Sequence, residues 1–139
     1  MIKISETTKE AVKGFTERQW RATNIEHYGK GIQWIEKEFT YKAEIGGKIV
    51  GVISGRLSTD VLYINDLIVT SRQRGKGIGH SLMQKAEEFG KKEGAIKAHL
   101  LTGKGWKAQK FYESLDYKQI AVFPKHHFGR DNLVYQKPL

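Results

Sequence analysis

A glycine-rich segment between two apolar runs is the feature that most constrains the fold of this chain. Val61–Val69 is a dense apolar run typical of a central strand, and the glycine-rich segment Arg74–Gly79 follows it. The next stretch has an apolar stripe at helical spacing, formed by Ile78, Leu82, Ala86 and Phe89. Ala95–Thr102 is a second segment with the pattern of a buried strand. A strand, a helix and a strand in this order predict two parallel strands joined by a right-handed crossover.

The other elements are predicted from the same kinds of pattern. They are, in chain order, an edge strand at Met1–Ile4, a helix from about Thr7 to Ile25, a short helix at Ile32–Glu38, a strand at Phe39–Ile45, a hairpin turn at Gly46-Gly47, a strand at Lys48–Leu57, a helix at Trp106–Leu115, and strands near Tyr117–Phe123 and Asn132–Gln136. This order predicts an α/β or α+β fold built on a mixed sheet.

Composition favours one globular domain over residues 1–139. The chain is 39% hydrophobic and 11% aromatic, which is enough to bury a core. It has no cysteine, so disulfides, thiolate metal sites and cysteine nucleophiles are excluded. The first residues have no signal-peptide pattern, and no apolar run approaches the length of a membrane span. We therefore expect a cytoplasmic protein with no membrane partner.

The formal net charge of +9 indicates either a polyanionic partner or an ordinary basic surface. Nucleic acid and a phosphate-rich cofactor are both candidates. The basic residues are scattered, however, and no basic run is longer than pairs such as Lys91-Lys92. This distribution disfavours a basic nucleic-acid-binding arm.

The chemistry of the glycine-rich segment indicates a phosphate or pyrophosphate site. Glycine lets successive backbone N–H groups converge on an anion without interference from a Cβ atom. The helix that begins at this turn adds its positive dipole end, and Arg72, Arg74 and Lys76 add full charges. The alternative is a plain strand-to-helix connection, for which one glycine would be enough.

Other phosphate-binding motifs fit this sequence less well. A P-loop requires Gly-Lys followed by Ser or Thr, but Lys76 is followed by Gly77 and Lys104 by Gly105. The dinucleotide fingerprint G-x-G-x-x-G belongs to a first βαβ unit, whereas the pattern here is G-x-G-x-G in mid-chain. A mononucleotide site is therefore disfavoured.

Two segments resemble the signatures of a known family. Arg74–Gly79 matches the R/Q-x-x-G-x-G/A motif of the GNAT superfamily of N-acetyltransferases and follows a strand that ends at Val69, as in that family. Ala108–Tyr117 is similar to the second GNAT signature, A-x-x-F-Y-E-x-L-G-F/Y. The separation of the two motifs and the predicted order of elements also agree, so the resemblance covers essentially the whole chain.

The resemblance implies a GNAT fold, with a mixed, mostly antiparallel central sheet of about seven strands, a splayed parallel pair and about four helices. It also implies acetyl-CoA (coenzyme A) as the co-substrate, with no metal. The residues that it assigns to the cofactor are Leu67, Ile68, Val69, Arg74, Gly75, Lys76, Gly77, Ile78, Gly79 and His80. For the first three of these, the alternative is a plain core strand.

Catalytic roles are also implied by the resemblance. Tyr112 matches the tyrosine that lies near the coenzyme A sulfur in the family, where a phenol could protonate the departing thiolate. The alternative is a structural aromatic residue. The family often has a glutamate on the strand before the second signature, but His99–Thr102 contains no carboxylate. His99, Asp66 and Glu44 are the candidate bases. The alternatives are a hydrogen-bonded structural role for His99 and a cap or an ion pair with a nearby arginine for Asp66.

Several further residues depart from the family pattern or stand outside it. Asp116 replaces the usual glycine after the second signature, so that turn is expected to differ in φ or to be strained. Lys104-Gly105 stands where the family has an asparagine. His126-His127 has no acidic neighbours and is expected in a surface loop rather than in a metal site. The aromatic residues Trp20, Tyr28 and Trp34 are expected to be mostly core, with one or two lining an acceptor pocket.

The sequence therefore predicts a transferase of the acyltransferase class, an N-acetyltransferase that moves an acetyl group from acetyl-CoA directly to a primary amine. The acceptor is either a small-molecule amine or a protein N-terminus. A second copy of the chain, in a homodimer, is a further expected partner. The absence of cysteine removes the obvious route to an acetyl-enzyme intermediate. The alternatives are a non-catalytic acyl-CoA-binding regulator and, motivated by charge alone, a nucleic-acid-binding module.

Overall fold

The computed structural model describes all residues, Met1–Leu139, as two compact units, Met1–Trp34 and Ile35–Leu139. The elements are α1 (Lys9–Tyr28), β1 (Glu36–Ile45), β2 (Lys48–Ser58), β3 (Val61–Val69), α2 (Ile78–Lys92), β4 (Lys97–Gly103), α3 (Ala108–Ser114), β5 (Lys118–Phe123) and β6 (Asn132–Pro138). A 3₁₀ turn at Ser71–Gln73 precedes α2. No helix combines the length and the apolar character that a bilayer crossing requires.

The first unit contains the long helix α1, whose ends follow from local capping. The hydroxyl of Thr8 accepts a hydrogen bond from the N–H of Ala11 at 3.2 Å and satisfies one of the free donors at the helix start. Gly29 ends the helix in the left-handed region, with φ of 73°, and its N–H bonds the carbonyl of Ile25. The predicted helix is confirmed, although it ends three residues later than the pattern indicated.

Two predicted elements near the start of the chain are wrong. Met1–Ile4 is not a strand, because alternation supplies a pattern but no pairing partner, and Met1, Ile2 and Ile4 are almost fully exposed. Ile32–Glu38 is not a helix either. Residues 32–35 are irregular and Glu36 begins β1, since pairing of Glu36–Ile45 with β2 outweighs the weak helical spacing of Ile32, Ile35 and Phe39.

The second unit is built on a six-stranded sheet with the order β1-β2-β3-β4-β6-β5. All neighbours are antiparallel except β3 and β4, which are parallel and joined through α2, as the sequence predicted. The fold is the predicted α+β class. It has six strands rather than about seven and three α-helices rather than about four, because the two elements predicted near the chain start do not form.

One face of the sheet carries the hydrophobic core. Strand residues such as Leu62, Ile64 and Leu100 pack in one buried cluster with Met83 of α2 and Tyr112 of α3. Both helices therefore cover the same face of the sheet. Residues at the alternate strand positions point to the opposite face, because side chains alternate along a strand.

Two glycines near the C-terminal end of helix α2, Gly90 and Gly94, have different roles. Gly94 has a φ of 96°, whereas Gly90 lies inside the helix and is buried against Leu62. A Cβ atom at Gly90 would lie 3.0 Å from a side-chain carbon of Leu62. Gly90 therefore serves close packing of the helix on the sheet, and Gly94 terminates it.

A bulge in β3 changes how that strand continues. The pairing of β2 with β3 shifts between Ser54 and Gly55, so that Ser54 opposes Asp66 and Gly55 opposes Ile64. Asn65 is thus the extra, unpaired residue. A Cβ atom at Gly55 would lie 2.0 Å from the carbonyl oxygen of Tyr63, so only glycine fits beside the bulge.

We predict that Gly55→Ala destabilises the protein by about 3 kcal/mol, because the added methyl group overpacks a rigid backbone contact. Gly31→Ala is the matched control, since a Cβ atom there meets nothing within 4 Å and its φ is not positive. The control should change the free energy of unfolding by less than about 0.5 kcal/mol. Urea denaturation measures both values, and equal effects would contradict the packing account.

Candidate functional site

The parallel pair β3 and β4 separates along its length. Pairing runs from Val61 opposite Lys97 to Ile64 opposite Leu100 and stops there. Both strands continue beyond that point, β3 to Val69 and β4 to Gly103. The end of the pair is therefore a cleft between two strands rather than a closed sheet.

The backbone of β3 presents free groups to this cleft. The N–H of Thr70 bonds the carbonyl of Val50 at 2.8 Å, so these two residues form a hydrogen-bonded antiparallel pair. Hydrogen-bonded and non-bonded pairs alternate, so the pair of Val69 with Gly51 and that of Leu67 with Ile53 are non-bonded. The N–H groups of Leu67 and Val69 therefore point away from β2 and into the cleft, whereas the main chain of Ile68 bonds β2.

The N–H groups of the turn after β3 have no backbone partners. Gly75 and Gly77 have φ values of 76° and 83°, and a Cβ atom at either would meet nothing within 4 Å. Glycine is needed there for the left-handed backbone rather than for space. No backbone carbonyl accepts a hydrogen bond from the N–H groups of residues 75–80, which include the first turn of α2.

The third glycine of the turn, Gly79, is needed for packing rather than for a left-handed backbone. Gly79 lies in the first turn of α2, where a Cβ atom would approach the ring of Phe111 in α3 to 3.2 Å. Phe111 in turn contacts Tyr112 edge-on, with ring centroids 5.1 Å apart. Gly79 therefore lets α3 pack closely against the turn.

The charge around the turn is positive. The Nε–H of Arg74 donates to the carbonyl of Val69 at 3.0 Å, which holds the guanidinium at the end of β3. The ammonium of Lys76 donates to the side-chain oxygen of Gln73, and the first turn of α2 has no acidic residue. Free N–H donors, a helix N-terminus and cations favour a phosphate or pyrophosphate at this point.

Tyr112 lies on the core face of the sheet. It is 8% exposed, and its ring contacts Phe111 and Tyr117 edge-on. Burial raises the pKa of the Tyr112 phenol above its usual value, so the hydroxyl stays protonated at neutral pH. No protein group forms a hydrogen bond with that hydroxyl, although no fully buried polar atom lacks a partner. The Tyr112 hydroxyl therefore reaches a protein surface and can donate a proton or a hydrogen bond there.

A buried polar network that the sequence did not reveal supports Tyr112. The hydroxyl of Tyr117 donates to a Glu87 oxygen at 3.2 Å, and the ammonium of Lys137 contacts the other oxygen at 2.6 Å. Burial, together with the Glu87 charge, raises the pKa of Tyr117. The network links α2 and β6 to the segment that follows α3. Its one sequence signal was Glu87 itself, four residues after Met83 on the buried side of α2.

The backbone of the turn after α3 is strained at Asp116, as the sequence predicted. Asp116 has a φ of 70°, in the left-handed region where the family usually has glycine. The N–H of Tyr117 bonds the carbonyl of Tyr112 at 3.1 Å and closes the helix. The strained residue thus places the ring of Tyr117 against that of Tyr112.

Asp66 and His99 lie on the face of the sheet opposite to Tyr112. His99 alternates with the core residues Ala98 and Leu100, and Asp66 precedes Leu67, which packs on the core. The carboxylate of Asp66 accepts a hydrogen bond from the hydroxyl of Ser54 at 3.1 Å and is otherwise exposed. Both candidate bases are therefore separated from the candidate acid by the thickness of the sheet.

The partners of His99 restrict its chemistry. Its Nδ1 atom lies 3.1 Å from the side-chain amide nitrogen of Gln136, which donates to it, and its ring packs edge-on against Tyr63. With Nδ1 occupied as an acceptor, the neutral ring has its proton on Nε2 and no free lone pair. Burial, together with the charges of Lys97 and Arg56, lowers the pKa of His99.

The remaining candidates are placed elsewhere. Glu44 lies on the edge strand β1, two strands from β3, and is ion-paired with Lys42. His126 and His127 lie in the β5–β6 loop, with ring centroids 4.5 Å apart. No group of three or more potential ligands that could hold a metal occurs in the chain.

The aromatic residues of the first unit are not core. Trp20 is 63% exposed, Tyr28 58% and Trp34 56%, because α1 buries few of its apolar side chains. All three line one cavity of about 480 Å³ within residues 16–34. The prediction that they are mostly core is wrong, and the prediction that some line a pocket fits this cavity.

Comparisons with known proteins agree with this geometry. The model of the acetyltransferase (GNAT) family matches residues 6–117. An uncharacterized N-acetyltransferase from Archaeoglobus fulgidus is 29% identical over 107 residues, which cover 71% of this chain and 73% of the relative. An acetyltransferase from Bacillus cereus has a TM-score of 0.76 at 22% identity, covering 99% of this chain and 98% of the other. Arabidopsis thaliana Naa50, in complex with the bisubstrate analogue CoA-Ac-MVNAL, has a TM-score of 0.67 at 22% identity, covering 90% and 93%.

The lowered pKa of His99 predicts a pH dependence of stability. Because the folded pKa lies below the ordinary value of 6.5, the contribution of His99 is fully present above pH 6.5 and is lost as the pH falls through the folded pKa. We expect the free energy of unfolding, measured in urea between pH 7.5 and 5, to fall less in His99→Gln than in the wild type. An unchanged slope in His99→Gln would contradict the assignment.

Proposed function

The chain belongs to the acetyltransferase (GNAT) family, and we propose that it moves an acetyl group from acetyl-CoA to a primary amine by direct transfer. The observation that carries this proposal is the cleft between β3 and β4, together with the free N–H donors of the turn that follows β3. A long ligand with amide groups and a pyrophosphate fits that combination, since both kinds of group need partners of the type the chain leaves free.

We assign the coenzyme A contacts to the main chain of β3 and of the turn. The N–H of Val69 faces the cleft and would bond the pantetheine arm, while Ile68 contributes its side chain, which is 59% exposed. The N–H groups of residues 75–80 would hold the pyrophosphate. The charges of Arg74 and Lys76 would complete the cradle.

The N–H of Leu67 is the donor best placed to stabilise an oxyanion, because the pantetheine arm separates the thioester from the pyrophosphate. It points into the cleft near the place where β3 and β4 stop pairing, and it precedes both Val69 and the turn at residues 75–80. A fixed N–H at the site of developing negative charge lowers the barrier to attack on a thioester, because it needs no reorganisation during the reaction.

Tyr112 would act as the acid. Its buried phenol is protonated at neutral pH, and the contacts with Phe111 and Tyr117 fix its ring. The departing thiolate requires a proton or a hydrogen bond, and a positioned phenol supplies either.

Asp66 is the stronger candidate for the base. Its carboxylate is exposed and keeps free acceptor sites beside its single bond to Ser54, whereas Nδ1 of His99 is already occupied by Gln136. The amine must lose a proton as it attacks, and a carboxylate can accept this proton directly or through water. An attack from the Asp66 face and departure on the Tyr112 face would place base and acid on opposite sides of the reacting carbon.

The family match also bears on the organisation of the chain. It runs from residue 6 to residue 117 and so includes parts of both units, which supports one acetyltransferase domain over residues 1–139. A regulator that binds acyl-CoA without turnover would use the same cleft, and thiol release separates it from an enzyme.

The test is a thiol-release assay with acetyl-CoA over a panel of primary amines, repeated with Tyr112→Phe and Asp66→Asn. We expect the variant Tyr112→Phe to lower kcat at least about tenfold and Asp66→Asn by a similar factor, because each loses one proton-transfer group. The KM for acetyl-CoA should change little in both, since neither residue lies in the cradle.

Tyr135→Phe is the matched control for Tyr112→Phe. Tyr135 is also a buried tyrosine, but its hydroxyl bonds Glu113 at 2.9 Å rather than facing a surface. Folding of each variant is checked by circular dichroism. Full activity of Tyr112→Phe at all pH values would refute the acid role, and tight coenzyme A binding without thiol release would favour the regulator.

A further inference from the structure

The first unit contains a cavity that the proposed chemistry does not use. It has a volume of about 480 Å³ and is formed only by residues of α1 and of the segment that follows it, up to Trp34. Ligand pockets for small molecules have volumes of about 300–1,000 Å³. The cavity is therefore large enough for one aromatic ring with a short arm.

Three aromatic rings line the cavity, and all of them are more than half exposed. These are Trp20, Tyr28 and Trp34. Three large aromatic side chains that line one cavity and remain in contact with water are apolar surface of the kind that marks a ligand or partner site. Their flat faces favour a flat apolar group, and their negative quadrupoles favour a cation above them.

The formal charges of the lining also favour a cation. The chain has 24 Lys and Arg against 15 Asp and Glu, yet no Lys or Arg lines this cavity. The ionisable groups of the lining are the Glu17 carboxylate, the His27 imidazole and the Tyr28 phenol, and with histidine counted as neutral only Glu17 carries a formal charge. The Glu17 carboxylate lies 4.0 Å from the Lys13 ammonium, and the side chains of Lys13 and Glu17 are 67% and 58% exposed, respectively. Such an exposed pair is weak, so the Glu17 carboxylate is available to a ligand.

A buried amide provides an independent sign of a ligand. Asn24 is only 8% exposed and lines the same cavity. Its side chain takes part in no hydrogen bond within the protein, while no fully buried polar atom lacks a partner. The amide therefore faces the cavity. Because the amide has no hydrogen-bond partner in the protein, a ligand with its own polar group can bond it there.

We infer that this cavity binds a small primary amine with an aromatic or similarly flat apolar body, in its ammonium form. The rings contact the body, and Glu17 and Asn24 contact the polar end. The inference rests on the proposed function in that it names the chemical class of the acceptor. The binding preference itself follows from the lining alone.

Binding is tested with three matched probes: 2-phenylethylamine, its neutral analogue 2-phenylethanol, and the flexible diamine putrescine. Tryptophan fluorescence is followed in full-length Trp106→Phe, which leaves Trp20 and Trp34 as the reporters. We expect 2-phenylethylamine to bind at least about tenfold more tightly than either comparison probe, because only this probe combines the cation with the flat ring.

The variants Glu17→Gln and Trp20→Leu should remove that preference. Glu10→Gln is the control, since Glu10 is a carboxylate on the same helix that does not line the cavity. Isothermal calorimetry gives the affinity of each variant, and circular dichroism shows whether α1 is intact. Equal binding of the amine and the alcohol, no binding of the amine, or equal losses in Glu10→Gln would overturn the inference.

A thiol-release assay with the same probes separates this inference from the proposed function. If the aromatic amine is the acceptor class, Trp20→Leu raises its KM about tenfold and changes kcat by less than about twofold, because the lost contact is with the ligand body. Thiol release with other amines, without binding of 2-phenylethylamine, would overturn the inference and leave the proposed function standing. The expected binding pattern with no thiol release for any amine would refute the proposed function and support the ligand class of the cavity.

Discussion

The end of pairing between β3 and β4 is the constraint on which the rest of the site depends. Two parallel strands that separate after Ile64 and Leu100 leave main-chain donors that water or a ligand must satisfy. The alternation of bonds with β2 then decides which donors are free, and it selects Leu67 and Val69. The glycine turn follows β3 along the chain and its N–H groups also lack backbone partners, so one extended ligand can satisfy both sets.

The bulge at Asn65 decides which side chains accompany those donors. By inserting one residue, it sets the register after which Leu67 packs on the core and Asp66 points to the opposite face. Gly55 makes the bulge sterically feasible. On the core face, the network of Tyr117, Glu87 and Lys137 fixes the environment of Tyr112. The sheet thereby separates a candidate base from a candidate acid.

The sequence was sufficient for features that depend on local pattern and insufficient for those that depend on pairing. The strand, turn and helix around Gly75–Gly79 were predicted because glycine spacing and helical periodicity act within a few residues. The segment Ile32–Glu38, expected to be a helix, is irregular up to residue 35 and continues into β1 from Glu36, since the partner strand β2 is supplied from beyond the hairpin. The bulge at Asn65 requires knowledge of register, and the contact of Glu87 with Lys137 joins residues 50 positions apart. Neither the bulge nor this contact can be recognised from a short stretch of the sequence.

A crystal structure of the protein with coenzyme A tests the central claim most directly. The account predicts that β3 and β4 remain unpaired beyond Ile64, with the pantetheine amides hydrogen-bonded to the main chain of Leu67 or Val69. It also predicts that the pyrophosphate lies within hydrogen-bond distance of N–H groups in residues 75–80. Coenzyme A bound outside the cleft, or a closed β3–β4 pair with an empty turn in the presence of saturating ligand, would contradict the account.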